Sequence, residues 1–415
     1  MAPILGCDRC AGCATVEAMS DITFRSAEEA DWPAMGLLTE MAFGSQQPEE
    51  TADAWRSLIA TDGAVVACDG DDVVGTALFL DFELTVPGGA VLPMAGVSMV
   101  AVAPTHRRRG VLTGMLDELH RRMGAYPIAG LEASEAEIYG RFGYGPATVW
   151  ERLEVHRRGA RFHSNVPDPG GVRIVRPADH RAQLEDIEER WRRQTPGGLY
   201  TPSPRLWDEV LADRESSRNG GSPRYCALHP DGFAFYRLHG NDEKTTAEVT
   251  KMAAVTAEAE IALWRVLVGL DLKEVVGIHT HPDNAVRYLL TNPRLARTQE
   301  VFDGLWLRML DIPAVLQART YSADLEVVLE VSDDFLARGG RFALTVRDGR
   351  AQCTPTAAAA DVQLDVSVLG SLYLGAHRAS SFAAAQRLRC NDSRVVTALD
   401  RAFASEIPAE LGFGF

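Results

Sequence analysis

The sequence predicts an α/β (α+β) fold: two tandem mixed α/β domains of one layout, followed by a smaller α+β domain. Three observations predict it. Short β-rich runs alternate with amphipathic helical ones from residue 20 to 160, the same order of strand, turn and helix returns after residue 171, and strand-like pieces dominate from about residue 304. At about 100–200 residues per domain, a chain of 415 residues has room for two to four.

In the first unit (20–160) DITFRS reads as a strand, followed by a helix opened by EEADW. AVVACDG and VVGTALFLDFELTV flank a DGDD turn, and the PGG tip leads into the long strand GVSMVAVAP. After THRRRG a helix is predicted over VLTGMLDELHRRM, because Val111, Leu112, Met115, Leu116, Leu119 and Met123 fall on one face. PIAGLEAS is a further strand, and EIYGRFGYG a short helix or turn ended by glycines. HSNVPDPGG (163–171) has linker composition. The second unit (172–303) opens at VRIVRPADHRAQL and runs through a helix containing Trp191, the strands DGFAFYRLHG and AEVTKMAAV, the helix EAEIALWRVLVGL and the strand EVVGIHTH. TAEAEIAL follows MAAV with nothing like RRRG between them, so this copy is expected to be structural. The third unit (304–415) supplies YSADLEVVLEVSD, GGRFALTVRDGRAQC and ADVQLDVSVLGSLYLG, helices around FAAAQRLR and VVTALDRAFA, and the apolar tail IPAELGFGF.

Hydrophobic residues at 46% and charged residues at 24% exclude a wholly disordered or fibrous chain. The charge balance, 42 − 57 = −15, repels a phosphate backbone, so no nucleic-acid partner is expected. It suits a cationic amine, though most acidic enzymes share it. No run approaches the roughly 18–20 apolar residues of a membrane span. CDRCAGC occupies the place where a signal peptide needs an apolar stretch, so the cytoplasm is expected rather than secretion. Residues 1–19 are expected to be a disordered leader before an alternative start at Met19. Within it Cys7, Cys10 and Cys13 form C-x2-C-x2-C with no fourth ligand nearby, and Cys68, Cys226, Cys353 and Cys390 stand singly as reduced thiols. His279 and His281 form an H-x-H to which the sequence adds no third ligand, so no metal is expected.

The chemical signal is sharpest in VSMVAVAPTHRRRGVLTGML, where a strand runs into a basic loop and a helix opens at Gly110. Unpaired amides and the positive dipole end at a helix start favour a pyrophosphate. Arg107 and Arg108 add forked, charge-assisted donors, and Gly110 removes the side chain where backbone and phosphate come closest. A solvated basic turn is the alternative. The placement between a buried strand and an amphipathic helix favours the phosphate site.

This loop resembles that of the GNAT superfamily of acetyl-CoA-dependent N-acyltransferases, [QR]-x-x-G-x-[GA], matching at Arg107 and Gly110 and departing at Leu112. GVSMVAVAPTHRRRG, ELHRR, EIYGRFGYGPA, RWRRQTPGGL, RLARTQEVFDGLWLRML and GSLYLGAHRAS together resemble the mycobacterial enhanced intracellular survival (Eis) family of aminoglycoside and polyamine acetyltransferases. The resemblance spans about residue 20 to residue 415. It implies a catalytic GNAT domain, a second GNAT-like domain without the cofactor loop, a sterol-carrier-protein-like domain and a homohexamer.

It further implies that acetyl-CoA lies along the backbones of Val100 and Val102 and on Arg107, Arg108, Gly110 and Val111. Tyr139 would be the general acid that protonates the departing thiolate; packing beside Phe142 and Tyr144 is its other reading. Ser134 would bond cofactor or amine, or simply cap its strand. The C-terminal carboxylate of Phe415 would be the base, although at an ordinary pKa of about 3.5 it would serve better by holding the ammonium and relaying its proton through water. Phe43, Trp55, Trp207 and Asp303 would line an acidic cleft for cationic substrates. Ser45 and Gly414 stand where the family has acidic residues, which puts the substrate range in question. The amine would attack the thioester directly, the oxyanion being held by amides near Val102, with no acyl-enzyme. The competing readings are a non-catalytic acetyl-CoA- or lipid-binding protein and a protein lysine acetyltransferase.

Overall fold

Strands exchanged between neighbouring sheets tie the first two units together. The computed structural model describes residues 22–44, 49–201, 203–240, 245–271 and 274–415. The leader with Cys7, Cys10 and Cys13, and Ser45, lie outside them.

The first unit runs β1 (Ile22–Ser26), α1 (Trp32–Phe43), α2 (Glu49–Arg56), β2 (Ile59–Asp69), β3 (Asp72–Thr85), β4 (Val91–Val102), α3 (Val111–Arg122), β5 (Ile128–Glu132), α4 (Ala136–Tyr139) and β6 (Gly145–Pro146). The second has β7 (Val149–His156), β8 (Arg173–Val175), α5 (Arg181–Gln194), β9 (Leu199–Tyr200), α6 (Pro204–Ala212), β10 (Tyr225–His229), β11 (Gly232–Gly240), β12 (Thr245–Ala254), α7 (Ala257–Gly269), β13 (Val275–Thr280), α8 (Val286–Leu289), β14 (Ala296–Asp303) and β15 (Leu305–Met309). The third contains α9 (Ile312–Ala318), β16 (Leu325–Ser332), β17 (Gly340–Arg347), β18 (Arg350–Pro355), β19 (Val362–Asp365), α10 (Val366–Leu372), α11 (Ala379–Ala384), β20 (Leu388–Cys390) and α12 (Ser393–Phe403).

Among the described residues the first sheet has the order β1-β2-β3-β4-β5-β15-β6, with β9 on β3; the second is β14-β7-β13-β12-β11-β10-β8, and the third β18-β17-β16-β19-β20. The divisions read at residues 160 and 303 cut across this arrangement. β7 leaves the first unit for the second sheet, and β15 returns from beyond residue 303 to the first, between β5 and β6. All five residues of β15 are buried, so the strand needs a place in a sheet covered on both faces, and an apolar run does not by itself say which sheet that is.

Local patterning explains the rest. The predicted stripe of α3 buries Val111, Met115, Leu116 and Leu119 under the sheet, joined by His120. β3 is buried on both faces for most of its length, whereas β16 and β17 alternate, one face on the core and one toward water. The sequence reading passed over α2 and α6, which carry Trp55 and Trp207.

Candidate active site

β4 is hydrogen-bonded along β3 for most of its length, but on its other side it pairs in parallel with β5 only at residues 94–96 against 128–130. Glycine faces glycine at the last of these pairs. A Cβ at Gly96 would come within 2.5 Å of the Phe82 ring and 2.9 Å of Phe415, and one at Gly130 within 2.8 Å of Met94 Sδ, so no side chain fits there. Beyond this point β4 runs on and the two strands part, leaving a fork. A register shift opposite Thr76 and Leu78 gives β4 an extra residue, and Met99 takes φ +50°, a conformation that non-glycine residues rarely adopt. Val100 has no register partner in β3, and Val102 pairs with Gly75. Both valines are partly buried and pack against the core.

The loop after β4 is shaped by two left-handed residues, Arg108 at φ +62° and Gly110 at φ +82°, the second being the N-cap of α3. No side chain caps that helix, and the space where a Gly110 Cβ would stand is open. The first amides of α3 thus face outward with the positive end of the dipole. His106 Nε2 lies 3.0 Å and an Arg109 guanidinium nitrogen 3.7 Å from Asp69 Oδ2, fastening the loop to the end of β2. Arg107 and Arg108 are exposed and make no ion pair among the described residues. Val111 is buried and Gly75 packs against it, so it offers a ligand its amide alone.

Tyr139 closes α4 and is 6% exposed. Burial, with Glu135 nearby, pushes its phenol up to about 12. The hydroxyl bonds to no other described residue, so its proton is held yet free to be donated. The Tyr144 ring stands edge-on 6.3 Å away, its hydroxyl 2.9 Å from His120 Nε2. The other ring nitrogen of His120 lies 2.5 Å from the Leu116 carbonyl, which only accepts, and burial lowers this imidazole to about 4; Nε2 is therefore the acceptor for Tyr144. Gly143, at φ +79°, leaves room for the buried Arg308 of β15, which donates to the Phe142 carbonyl and pairs with Asp333 at 2.7 Å. The turn carrying Tyr139 is therefore clamped from two other elements. Ser134 is exposed and makes no hydrogen bond among the described residues.

The tail ends at the fork. Phe415 N donates to Glu132 Oε2 at 2.9 Å, and the Phe415 ring meets Phe82 at 4.9 Å. Burial raises the Glu132 carboxyl and the amide of Phe415 opposes that shift. A Cβ at Gly414 would lie 2.7 Å from Glu132 Oε2, so a glycine there makes room for this carboxylate. The sequence reading missed Glu132; the one available signal was a charged residue closing an apolar strand.

Among the described residues two cavities flank the tail. One of about 520 Å³ is lined by Trp32, Trp55, Arg56, Ser98, Met99 and Phe415 among others, and one of about 710 Å³ includes Trp150, Trp191, Trp207, Lys251, His279 and Glu410. Trp55 and Gly414 border both. The structure thus brings Trp55, Trp207 and Phe415 together, but not the other two expected lining residues. Asp303 accepts the Trp306 indole N–H at 2.5 Å and borders neither cavity, and Phe43 is 48% exposed at the end of α1, away from both linings. His279 stacks on Trp150 at 6.2 Å.

Residues 23–147 match the model of an acetyltransferase (GNAT) domain, residues 198–309 that of a second acetyltransferase (GNAT) domain, and residues 312–409 that of a sterol carrier protein domain. N-acetyltransferase Eis of Mycobacterium tuberculosis is 53% identical over 407 residues, 95% of this chain and all of that protein. The chain belongs to the Eis family of N-acetyltransferases. An uncharacterized N-acetyltransferase of Streptomyces avermitilis is 36% identical over 94% of the chain and 99% of its own length. The crystal structure of Eis1 from Mycobacterium abscessus superposes with a TM-score of 0.85 at 29% identity, covering 95% of this chain and all of the other. A GCN5-related N-acetyltransferase from Anabaena variabilis shares the fold, with a TM-score of 0.80 at 20% identity over 94% and 100% of the two chains. As an Eis-type N-acetyltransferase the protein transfers acetyl groups on a GNAT fold, with acetyl-CoA the donor that GNAT acetyltransferases use. No helix among the described residues is long and apolar enough to cross a membrane.

Proposed function

We propose that the protein acetylates primary amines of aminoglycosides, polyamines or similar cations by direct attack on acetyl-CoA, with Tyr139 as general acid and the Phe415 carboxylate as base. The observation that carries this reading is the seat of the chain end: the amide of Phe415 is held by Glu132 at the mouth of the fork. Few chain ends are ordered unless tied down. Arg107 and Arg108, with the amides that follow Gly110, suit a pyrophosphate, and the free main chain at Val100 and Val102 suits an extended amide-bearing arm.

In the reaction the lone pair of the neutral amine attacks the thioester carbonyl, forming the C–N bond and a tetrahedral oxyanion, whose collapse re-forms the carbonyl and breaks the C–S bond toward sulfur. The amine proton passes to the Phe415 carboxylate, directly or through water. The phenol of Tyr139, held near 12, keeps its proton at neutral pH and meets the departing sulfur as a donor. A thiol titrates near ~8.5, so complete transfer from so weak an acid runs uphill unless the ammonium proton leaves in concert. The tryptophan faces around the larger cavity suit cations. Lys251 and Arg192 there are paired with Glu188 and Glu189, so they do not impose a net positive field on an incoming amine. Assembly as a homohexamer belongs to the same reading.

Coenzyme A thiol release from acetyl-CoA tests it, with aminoglycosides, polyamines and a lysine peptide at equal concentration, on the full chain and on a chain lacking Phe415. Turnover of the small amines that disappears with the last residue is expected. Full turnover without Phe415 would remove the carboxylate from the mechanism, and preference for the peptide would move the substrate class to proteins.

A further inference from the structure

The second unit repeats the fork of the first without its phosphate loop. β12 and β13 run parallel at residues 246–249 against 275–278, after which β12 continues to Ala254 while β13 stops at Thr280. A register shift between Phe235 and Tyr236 gives β12 an extra residue, Thr250, the same irregularity that β4 has in the first fork. The helix start beyond it is closed. Thr256 Oγ1 accepts the amide of Ala259 at 3.2 Å, and neither glycine nor arginine precedes α7, so a pyrophosphate has no seat there.

The chain's own tail lies against this second fork instead. Lys251 Nζ, one residue past the irregularity, donates to the Gly412 carbonyl at 2.5 Å and to Glu188 Oε1 at 2.8 Å, and sits 4.9 Å from the Trp191 ring centroid. Gly412 is pressed onto that indole, where a Cβ would stand 3.1 Å from the ring. Upstream, the amide of Glu410 donates to the Pro196 carbonyl at 2.8 Å, and Gly197, at φ +89°, lies so close that a Cβ would meet the Glu410 oxygen at 2.9 Å.

We infer that the second fork is a peptide-binding cleft whose ligand is the chain's own segment 410–412, and that Lys251 is the positioning residue that fixes the reach of the Phe415 carboxylate. The duplicated unit has exchanged a cofactor for a strap. Phe415 lies three residues beyond Gly412, about 10 Å of chain at full extension, so a freed Gly412 lets the carboxylate wander over that radius. The tail is held at both ends, by Lys251 in one fork and Glu132 in the other. The inference rests on the catalytic role proposed above for Phe415.

The test uses the full chain with Lys251→Met, Lys251→Arg and a Phe415 deletion. Lys251→Met is expected to lower kcat roughly 10- to 100-fold, as a misplacement of the order of an ångström does, with KM for acetyl-CoA unchanged. Lys251→Arg should restore most of the rate. Carboxypeptidase should release the terminal phenylalanine faster from Lys251→Met than from the native protein, a readout independent of turnover. Should Lys251→Met fail to fold, Gly412→Ala pushes the tail off the clamp without altering β12 and is expected to give the same split. Native kcat and native carboxypeptidase release in Lys251→Met, alongside an inactive Phe415 deletion, would overturn the inference while leaving the base intact. Full activity of the deletion would instead overturn the base, and carboxypeptidase release would still report whether Lys251 holds the tail.

Discussion

Glu132→Gln is the sharpest probe of how the chain end is held. The substitution keeps the shape and one carbonyl acceptor for the amide of Phe415 but removes the charge. A hydrogen bond to a charged group contributes about 1.5–3 kcal/mol, against about 0.5–1.5 for a neutral one, so the seat weakens by ~1 kcal/mol in Glu132→Gln and by ~2 in Glu132→Ala. Those losses cut the seated fraction of a marginally held tail by roughly 5- to 30-fold. The carboxyl of Glu132 is raised by burial, so as pH falls through its folded value it takes a proton and the native seat weakens, whereas the Gln variant has no such titration. The assay is kcat from thiol release at saturating acetyl-CoA, in the full chain and in a chain lacking Phe415. Coupling through the tail predicts that the effect of Glu132→Gln vanishes when Phe415 is absent. An equal loss in both backgrounds would show that Glu132 acts elsewhere and refute the seat.

Arg107→Ala and Arg108→Ala should each raise KM for acetyl-CoA by roughly 10- to 100-fold with kcat at saturation unchanged, the loss shrinking at high salt; steady-state kinetics at two ionic strengths checks this. Arg109→Ala should matter less, because that guanidinium already faces Asp69. Tyr139→Phe should lower kcat by roughly 10²–10⁴-fold while calorimetry finds acetyl-CoA binding intact. Glu410 is pushed up to about 7, mainly by burial and then by Glu260 and Glu188, with Lys251 opposing. Its folded site therefore binds a proton more tightly than the unfolded chain, and native stability falls as pH rises from about 4.5 to about 7. Water reaches part of this residue, so Glu410→Gln should stabilise by only ~1–2 kcal/mol at pH 8 and by nothing at pH 4.5, measured as a denaturant midpoint.

The shape of the basic loop was legible because everything it needs is local: a buried strand, basic residues, Gly110 and an amphipathic helix in one stretch. Tyr139 and Phe415 were named only through resemblance, yet the structure gives each a physical context, a mostly buried ring whose hydroxyl bonds to no other described residue and a chain end whose amide meets Glu132. Glu132, Lys251 and the Arg308–Asp333 pair were not legible, because their partners lie far away in sequence, at Phe415, Gly412 and the Phe142 turn. Asp303 borders neither of the two described cavities, and its carboxylate is bound to an indole three residues on, a local contact the sequence concealed. Strand pairing across the divisions at 160 and 303 was not legible, because β7 and β15 read as ordinary strands next to their chain neighbours, while pairing is decided by which sheet has an edge to cover.

The exchange of strands bears on why this site is assembled from three units. β15 sits between β5 and β6, and its Arg308 holds the Phe142 carbonyl in the turn that carries Tyr139 while pairing with Asp333 beyond β16. The first unit expressed alone loses that strand, the guanidinium under Gly143 and the tail on Glu132 at once. Such a fragment keeps the basic loop before α3 but has an open β5 edge and an unclamped turn at Tyr139. It should aggregate or melt without cooperativity, and restoring acetyl-CoA binding should require β15 rather than the tail. Cooperative melting and native acetyl-CoA affinity in a fragment covering residues 20–147 would refute this interdependence. The expected loss would show that β15, supplied from beyond the second unit, completes the sheet and the turn of the first.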